Sequence, residues 1–287
     1  MGFKDPQAIA VAGVETGAKK ALLPGDKALV AGFLAGAYIA FAGLLAITVT
    51  AGMDPKTWGG LTTLFTGAVF ALGLILVIIA GSELLTGNMA LIPLSIFGRQ
   101  ASWGGLSKNF LFVLIGNLIG SLFVAYFLAV KTGVVTTDTS LARLGAIAEA
   151  KAVTETDWQI FLRAIGCNWL VCLAVWMALG AEDIGGKVLA IFFPIMAFVA
   201  MGFDHVVANM FFIPAAIFAH VPDITWGDAI RNWIFAFLGN FVGAGVFVAG
   251  AYWYLYVRGA EPAAAGDEPP SGDGEVTGRF THSRAAR

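Results

Sequence analysis

The sequence predicts an all-α integral membrane protein with six transmembrane helices, built as two copies of a three-helix unit inserted in opposite senses. Three observations lead there. Charged residues make up 13% of the chain and apolar residues 58%, whereas a soluble domain carries about 25% charged residues. Six apolar runs approach the roughly 20 residues of helix that a bilayer requires. About forty residues of the first half recur in the second.

Composition narrows the function classes. Mean hydropathy is +0.81, so lipid is the expected solvent for much of the surface. The 36 glycines suit close helix packing in a bilayer. A formal net charge of −2 leaves no basic footprint for nucleic acid. Cys167 and Cys172 share one apolar stretch, do not stack on a helix face, and are read as small core hydrophobes. Three histidines without a Cys/His cluster argue against zinc or haem, and no cofactor is expected.

In chain order, the first 27 residues are polar to mildly amphipathic, carry Lys19, Lys20 and Lys27, and lack the apolar core of a signal peptide. Spans are expected at about 28–51, 58–80, 109–131, 158–180, 187–203 and 232–257. Two pieces too short to cross, at about 88–98 and 208–219, follow spans two and five. The connectors are polar, including the long one from Lys131 to Asp157. The transmembrane domain is thus 28–258, with repeats at about 28–131 and 158–257, and a Pro/Gly/acidic tail, 259–287, expected to be disordered.

Basic residues orient the spans. Six crossings put both ends on one side, with Lys4, Lys19, Lys20, Lys27, Arg99, Lys108, Lys187, Arg258, Arg279, Arg284 and Arg287. The other side receives Lys56, Lys131, Arg143, Lys151 and Arg231. Eleven against five predicts cytoplasmic termini.

The repeat is explicit. "GSELLTGNMALIPLSIF" at 81–97 aligns without a gap on "GFDHVVANMFFIPAAIF" at 202–218. "SWGGLSKNFLFVLIGNLIG" at 102–120 follows on "TWGDAIRNWIFAFLGNFVG" at 225–243. Three crossings per copy is an odd number, so the second copy enters from the opposite side. In such folds the pathway lies near the midplane, where interrupted helices of the two halves meet.

Polar residues mark the expected interruptions, at 81–88 and 202–209: Glu83, Thr86 and Asn88 in one, Asp204, His205 and Asn209 in the other. Backbone broken at this depth must be buried in protein or line a watery cavity. Half-helices restarting at about Asn88 and Asn209 would aim positive N-termini at the breaks, favouring an anion over a cation. His205 is the only histidine inside an expected span. An intramembrane ionisable group is costly and points to function; the competing reading is a neutral imidazole clipped to Asn209 or Asp204. Glu83 and Asp204 read as clamps accepting backbone N–H groups, Asn88 and Asn209 as caps, and Pro93 and Pro214 as residues early in their half-helices. Arg163 either attracts anions or snorkels to headgroups. Gly116, Gly120, Gly239 and Gly243 form small-residue packing faces.

The segments "GSELLTGN", "CNWLVCLAVWMA" and "GFDHVVANMFFIP" resemble the signatures of the formate/nitrite transporter family, and "LAGAYIAFAG" in span one fits too. The resemblance covers about residues 15–258. It implies a homopentamer of aquaporin-like protomers in the cytoplasmic (inner) membrane, each with a pore for a small monovalent anion. The central histidine would be His205, between an outer constriction of Phe70, Leu74 and Phe198 and an inner one of Leu84, Leu85 and Val171. Thr86 maps to the mobile-loop threonine, Asn168 and Asn209 to pore asparagines, and Lys151 to a vestibule lysine that attracts anions. Where the family usually has glutamate before the histidine, this chain has Asp204.

The resulting hypothesis is physical. An unpaired ion in apolar surroundings costs many kcal/mol, and neutralising it costs less. Formate and nitrite are anions of weak acids, so one hydrogen bond or proton from His205, whose ordinary pKa is about 6.5, would ease either through. Formate ranks first and nitrite close second, with hydrosulfide as another alternative. An aquaporin-type neutral-solute channel is the rival; it would carry Asn-Pro-Ala at both breaks, and this chain has "GNMALIP" and "ANMFFIP". No nucleophile–base pair or phosphate loop suggests an enzyme.

Overall fold

The computed structural model of the chain describes residues 2–259. The acidic tail beyond lies outside the described residues. Among the described residues the structure is helical, with a single extended bridge between Phe3 and Ala181.

Ten helices carry the architecture. Five form the first half: α1 (Pro6–Leu22), α2 (Gly25–Thr50), α3 (Gly60–Gly81), α4 (Leu85–Phe97) and α5 (Trp103–Val130). Five form the second: α6 (Asp138–Glu149), α7 (Asp157–Gly180), α8 (Ile184–Ala200), α9 (Val206–Phe218) and α10 (Trp226–Val257). Among the described residues, α2, α3, α5, α7 and α10 are long and apolar enough to cross a membrane, while α8 has 17 residues.

Local chemistry sets the boundaries. Asp5 caps α1 through the Ala8 N–H, with Pro6 at the first helical position, where its missing N–H costs nothing. Pro24 separates α1 from α2. The helices that open on Trp-Gly start alike: Ser102 caps α5 through the Gly105 N–H, and Thr225 forms a capping box with Asp228 on α10. Thr156 and Gln159 form the same box on α7.

Several sequence expectations change. The N-terminal segment, read as polar and weakly amphipathic, is the helix α1, and the long connector holds the helix α6. Both are too polar to signal a span but pack apolar residues inward, among them Ile9 and Val14 from α1 and Leu144 and Ala148 from α6. Each of the two precedes the first long helix of its half, α1 before α2 and α6 before α7. Pro93 and Pro214 are the ninth residues of helices starting at Leu85 and Val206, not early ones.

The halves are held by matching crossings of small residues. A Cβ on Gly120 of α5 would lie 2.0 Å from the Phe33 carbonyl oxygen of α2. A Cβ on Gly243 of α10 would lie 2.3 Å from the Ile165 carbonyl oxygen of α7. Only glycine permits such backbone contact. On the outside, Leu111, Ile115 and Ile119 of α5 and Ile230, Ile234 and Leu238 of α10 are exposed at four-residue spacing. That is an apolar stripe suited to lipid or another apolar partner and costly in water.

Candidate functional site

Helical backbone stops at Gly81 and resumes at Leu85; in the second half it stops at Ala200, with a turn before the non-helical residues 203–205, and resumes at Val206. Gly81 and Gly202, paired in the sequence repeat, have φ of +82° and +73°, a region open to glycine at little cost. Leu84 (φ −100°, ψ 123°) and His205 (φ −109°, ψ 114°) have almost the same extended backbone.

Each break is closed by a ring of four residues. In the first half, Lys20 Nζ donates to Glu83 Oε1 at 2.7 Å, Asn88 Nδ2 donates to Glu83 Oε2 and to Asn109 Oδ1 at 2.8 Å each, and Asn109 Nδ2 donates to the Lys20 carbonyl at 2.9 Å. In the second half, Lys151 Nζ donates to Asp204 Oδ1 at 2.9 Å, Asn209 Nδ2 donates to Asp204 Oδ1 at 2.9 Å and to Asn232 Oδ1 at 2.8 Å, and Asn232 Nδ2 donates to the Lys151 carbonyl at 3.1 Å. A second asparagine pair holds the restart of each helix. Asn117 Oδ1 accepts the Leu85 N–H at 3.0 Å, and Asn240 Oδ1 accepts the Val206 N–H at 2.9 Å. Their amides donate to the Gly32 and Glu83 carbonyls and to the Ala164 and Asp204 carbonyls.

This corrects two expectations. Glu83 and Asp204 do not clamp backbone N–H groups, because Asn117 and Asn240 take those; the acids bind lysine and asparagine side chains. Asn88 and Asn209 do not cap their helices either. Leu84 and His205 hold the N-cap positions, and Asn88 and Asn209 lie one turn inside. The helix starts three residues earlier than the sequence suggested, which moves every cap with it.

His205 is 3% exposed. Its Nδ1 accepts the Ala208 N–H at 3.1 Å, and its Nε2 lies 2.8 Å from Thr86 Oγ1. Accepting at Nδ1 assigns the ring proton to Nε2, so the neutral ring donates toward Thr86. The imidazole is therefore not clipped to Asn209 or Asp204 but bridges the two halves. Asn168 Nδ2 donates to the Thr86 carbonyl at 3.1 Å and the Asn240 carbonyl at 2.8 Å, and the Cys172 thiol donates to the same Thr86 carbonyl. Asn168 thus positions Thr86 rather than facing open space.

The apolar residues gather around the imidazole. Phe70, Leu74, Phe198, Leu84 and Val171 line a cavity of about 10 Å³ together with His205, about the least that admits one water. The Phe198 ring lies 6.0 Å from the imidazole at an interplanar angle of 26°. Leu85 is fully buried and does not line this cavity.

Two larger cavities flank the small one. One, of about 250 Å³, reaches His205 and Asn209 and is lined by Lys151, Glu155, Arg163 and Arg143. The other, of about 520 Å³, meets the first break at Ser82 and Glu83 and is lined by Lys19, Lys20, Lys27 and Lys187. Arg143 donates to Thr50 Oγ1 and Thr66 Oγ1 at 2.9 Å each and makes no ion pair among the described residues. Arg163 lines the first of these cavities and pairs with Glu155.

Sequence reasoning did not assign roles to Lys20, Asn109, Asn117, Asn232, Asn240 or Glu155. For the four asparagines the signal was present, since both pairs recur in the second aligned block. For Lys20 the only sign was its counterpart Lys151, which lies outside both aligned blocks.

The comparisons with known proteins agree with one another. A family model described as "Formate/nitrite transporter" matches residues 7–254. The chain is 51% identical over 256 residues to "Uncharacterized transporter YrhG" of Bacillus subtilis (strain 168), covering 89% of this chain and 95% of that protein. It is 41% identical over 258 residues to "Formate channel BtFdhC" of Bacillus thuringiensis, covering 90% and 98%. A solved structure described as "Pentameric formate channel with formate bound" superposes with a TM-score of 0.72 at 34% identity, over 82% of this chain and 98% of that one. With an all-helical apolar fold and a match running through both halves, the chain belongs to the formate/nitrite transporter family, whose members carry solutes across membranes and are not enzymes.

Proposed function

We propose that the chain is a channel for small monovalent anions, with formate the first substrate and nitrite or hydrosulfide the alternatives in the same pore. The observation that carries this is the 2.8 Å contact between His205 Nε2 and Thr86 Oγ1. It joins the two breaks inside an apolar constriction, with a cation-lined cavity on either side.

In this reading α2, α3, α5, α7, α8 and α10 cross the cytoplasmic membrane, and α3–α4 and α8–α9 are interrupted near its midplane. Three crossings in each of the two repeats make an inverted, aquaporin-like arrangement. Residues 28–258 are the pore domain, and both termini are cytoplasmic. The 520 Å³ cavity with its four lysines faces the cytoplasm, in keeping with the bias of basic residues to that side. The cavity holding Lys151 faces outward. Protomers assemble as pentamers, supported by the likeness to a pentameric formate channel and by the apolar outer stripes.

The mechanism follows from solvation. Lysines, Arg143 and the N-termini of α4 and α9 raise the anion's local concentration. At the centre the Nε2–H donor, held by the Ala208 N–H bond at Nδ1, transfers its hydrogen bond from Thr86 to the anion. The hydrogen bond lowers the cost of leaving water. A proton taken from the vestibule solution removes the rest of the charge for the passage between Phe70, Phe198, Leu84 and Val171. Asp204 and Glu83 keep the break geometry fixed, and Asn209, Asn168 and Lys151 hold the residues that face the ion.

The test is a competition flux assay in proteoliposomes with formate, nitrite, hydrosulfide and lactate at two pH values. Saturable formate flux, competed by nitrite and rising at lower pH, is expected. Water or glycerol permeation without anion flux would instead identify a neutral-solute channel.

A further inference from the structure

We propose that Glu155 and Asp204 are a carboxyl pair that binds one proton between Glu155 Oε2 and Asp204 Oδ2, a proton site that sets the charge of the Lys151 vestibule. The proposal deepens the anion-channel reading and rests on it for its consequence in transport.

The geometry is specific. Glu155 is 5% exposed and Asp204 0%. Glu155 Oε1 accepts from Arg163, and Asp204 Oδ1 accepts from both Lys151 and Asn209. The other oxygen of each carboxyl, Oε2 and Oδ2, is buried and has no donor. The two carboxyls lie within hydrogen-bonding reach of each other. Two ionised carboxylates would set acceptor against acceptor at two buried oxygens that no other group donates to. One proton converts that contact into an O–H···O⁻ bond, among the stronger hydrogen bonds proteins make.

The proton belongs to Glu155. Asp204 already accepts from an ammonium and an amide. Burial first, and then the neighbouring Asp204, push the Glu155 carboxyl up to about 7, against the pull of Lys151 and Arg163. The groups facing the pair are Lys151 on the turn after α6, Arg143 on α6, Arg163 and Cys167 on α7, His205 before α9 and Arg231 on α10. Arg231 is engaged with Asp157 and with the Ala152 and Glu155 carbonyls.

The consequence is a charge change. With both carboxyls ionised, Lys151 and Arg163 are fully compensated, and Arg143 alone gives the vestibule a net positive charge. With one proton bound, one further positive charge is uncovered beside His205. The proton comes from vestibule water and returns to it as pH rises, and only the Glu155 O–H bond forms and breaks. The first break has no such site. Both oxygens of Glu83 are taken, the link before α2 is Leu23-Pro24 where Glu155-Thr156 precedes α7, and Ala31 stands where α7 has Arg163.

The experiment compares the wild type with Glu155→Gln and Asp204→Asn, reconstituted in liposomes, by infrared difference spectroscopy and by formate flux across the neutral pH range. The wild type is expected to show a protonated-carboxyl band that disappears as pH rises through about 7, and Glu155→Gln to lack it. Glu155→Gln keeps the amide donor toward Asp204 and mimics the protonated state. Its formate flux is expected to lose the part of the pH dependence that titrates near 7, keeping only the rise that follows from protonation of the anion itself, and at alkaline pH to stand about tenfold above the wild type, the scale of one-charge focusing in a cleft. A titrating band that survives in Glu155→Gln, or a Glu155→Gln flux profile parallel to the wild type, overturns the proposal. A correct band with no formate flux in the wild type overturns the transport reading and leaves the proton site standing. If Asp204→Asn does not fold, Glu155→Gln alone decides.

Discussion

At the first break both oxygens of Glu83 are occupied, one by Lys20 and one by Asn88; at the second, a single oxygen of Asp204 receives both Lys151 and Asn209. The shorter aspartate reaches its partners with one oxygen and leaves the other over. Around this difference the scaffold repeats closely: the same lysine, acid and asparagine ring, the same second asparagine holding the first N–H of the next helix. What differs is what faces the centre. Leu84 and His205 share one backbone conformation and one repeat position, and only one of them donates a hydrogen bond. A duplicated frame thus holds the shape, while single unmatched residues carry the chemistry.

The comparison can be broken at the frame. Gly120→Leu and Gly243→Leu should each prevent folding, since a side chain there meets carbonyl oxygens at 2.0 Å and 2.3 Å; overpacking costs about 1–3 kcal/mol and occasionally more, and a clash with backbone that cannot move aside belongs at the top of that range. Monodisperse protein from either variant in size-exclusion chromatography would show that the two crossings are not equally needed. At the centre, His205→Leu copies Leu84 into the second break. The expected result is a folded protein with formate flux lowered about a hundredfold, equal to about 3 kcal/mol at a factor of ten per 1.4 kcal/mol. Flux unchanged from the wild type would remove His205 from the pathway.

Two smaller effects sharpen it. Asn117→Ala and Asn240→Ala each strip a buried helix start of its acceptor, at about 1–3 kcal/mol. Thermal unfolding in detergent should rank them as equals, and a large gap would show that one half is the more stable foundation. The smallest effect is in stability against pH. Burial raises Glu155 from an ordinary 4.5 to about 7, so the folded state holds the proton more tightly than the unfolded chain. That contribution is complete below about pH 4.5 and is lost as pH rises through about 7. The Tm of Glu155→Gln relative to the wild type should therefore be higher at pH 8 than at pH 4. A constant difference would place Glu155 in an ordinary solvated setting.

Much of the fold was legible because its signals are local. Apolar runs and the aligned repeats located the long helices to within about six residues, the largest errors being at Trp103 and Trp226, which were read as connector and open helices. Thr86 and His205 were singled out from the pattern and do meet. Helices α1 and α6 were missed because the search was for runs apolar enough to cross a bilayer, and both are too polar overall to register as one. The roles of Glu83, Asp204, Asn88 and Asn209 were misread for a different reason: the restart of each helix was placed three residues late, and a hydrogen-bond partner follows from register. Glu155 carried no signal at all, since one acid in a polar connector looks like any other.

The chain by itself determined its solvent, its duplication and its odd residues out, because hydropathy, recurrence and a histidine among apolar neighbours are properties of one-dimensional order. Tertiary structure alone decided which asparagine holds which N–H, which oxygen of Asp204 is left without a donor, and that Glu155 from a distant connector arrives beside it. Those outcomes depend on hydrogen-bonding distances of about 3 Å between residues 32 to 53 positions apart, and a hydrogen bond falls away steeply beyond that reach.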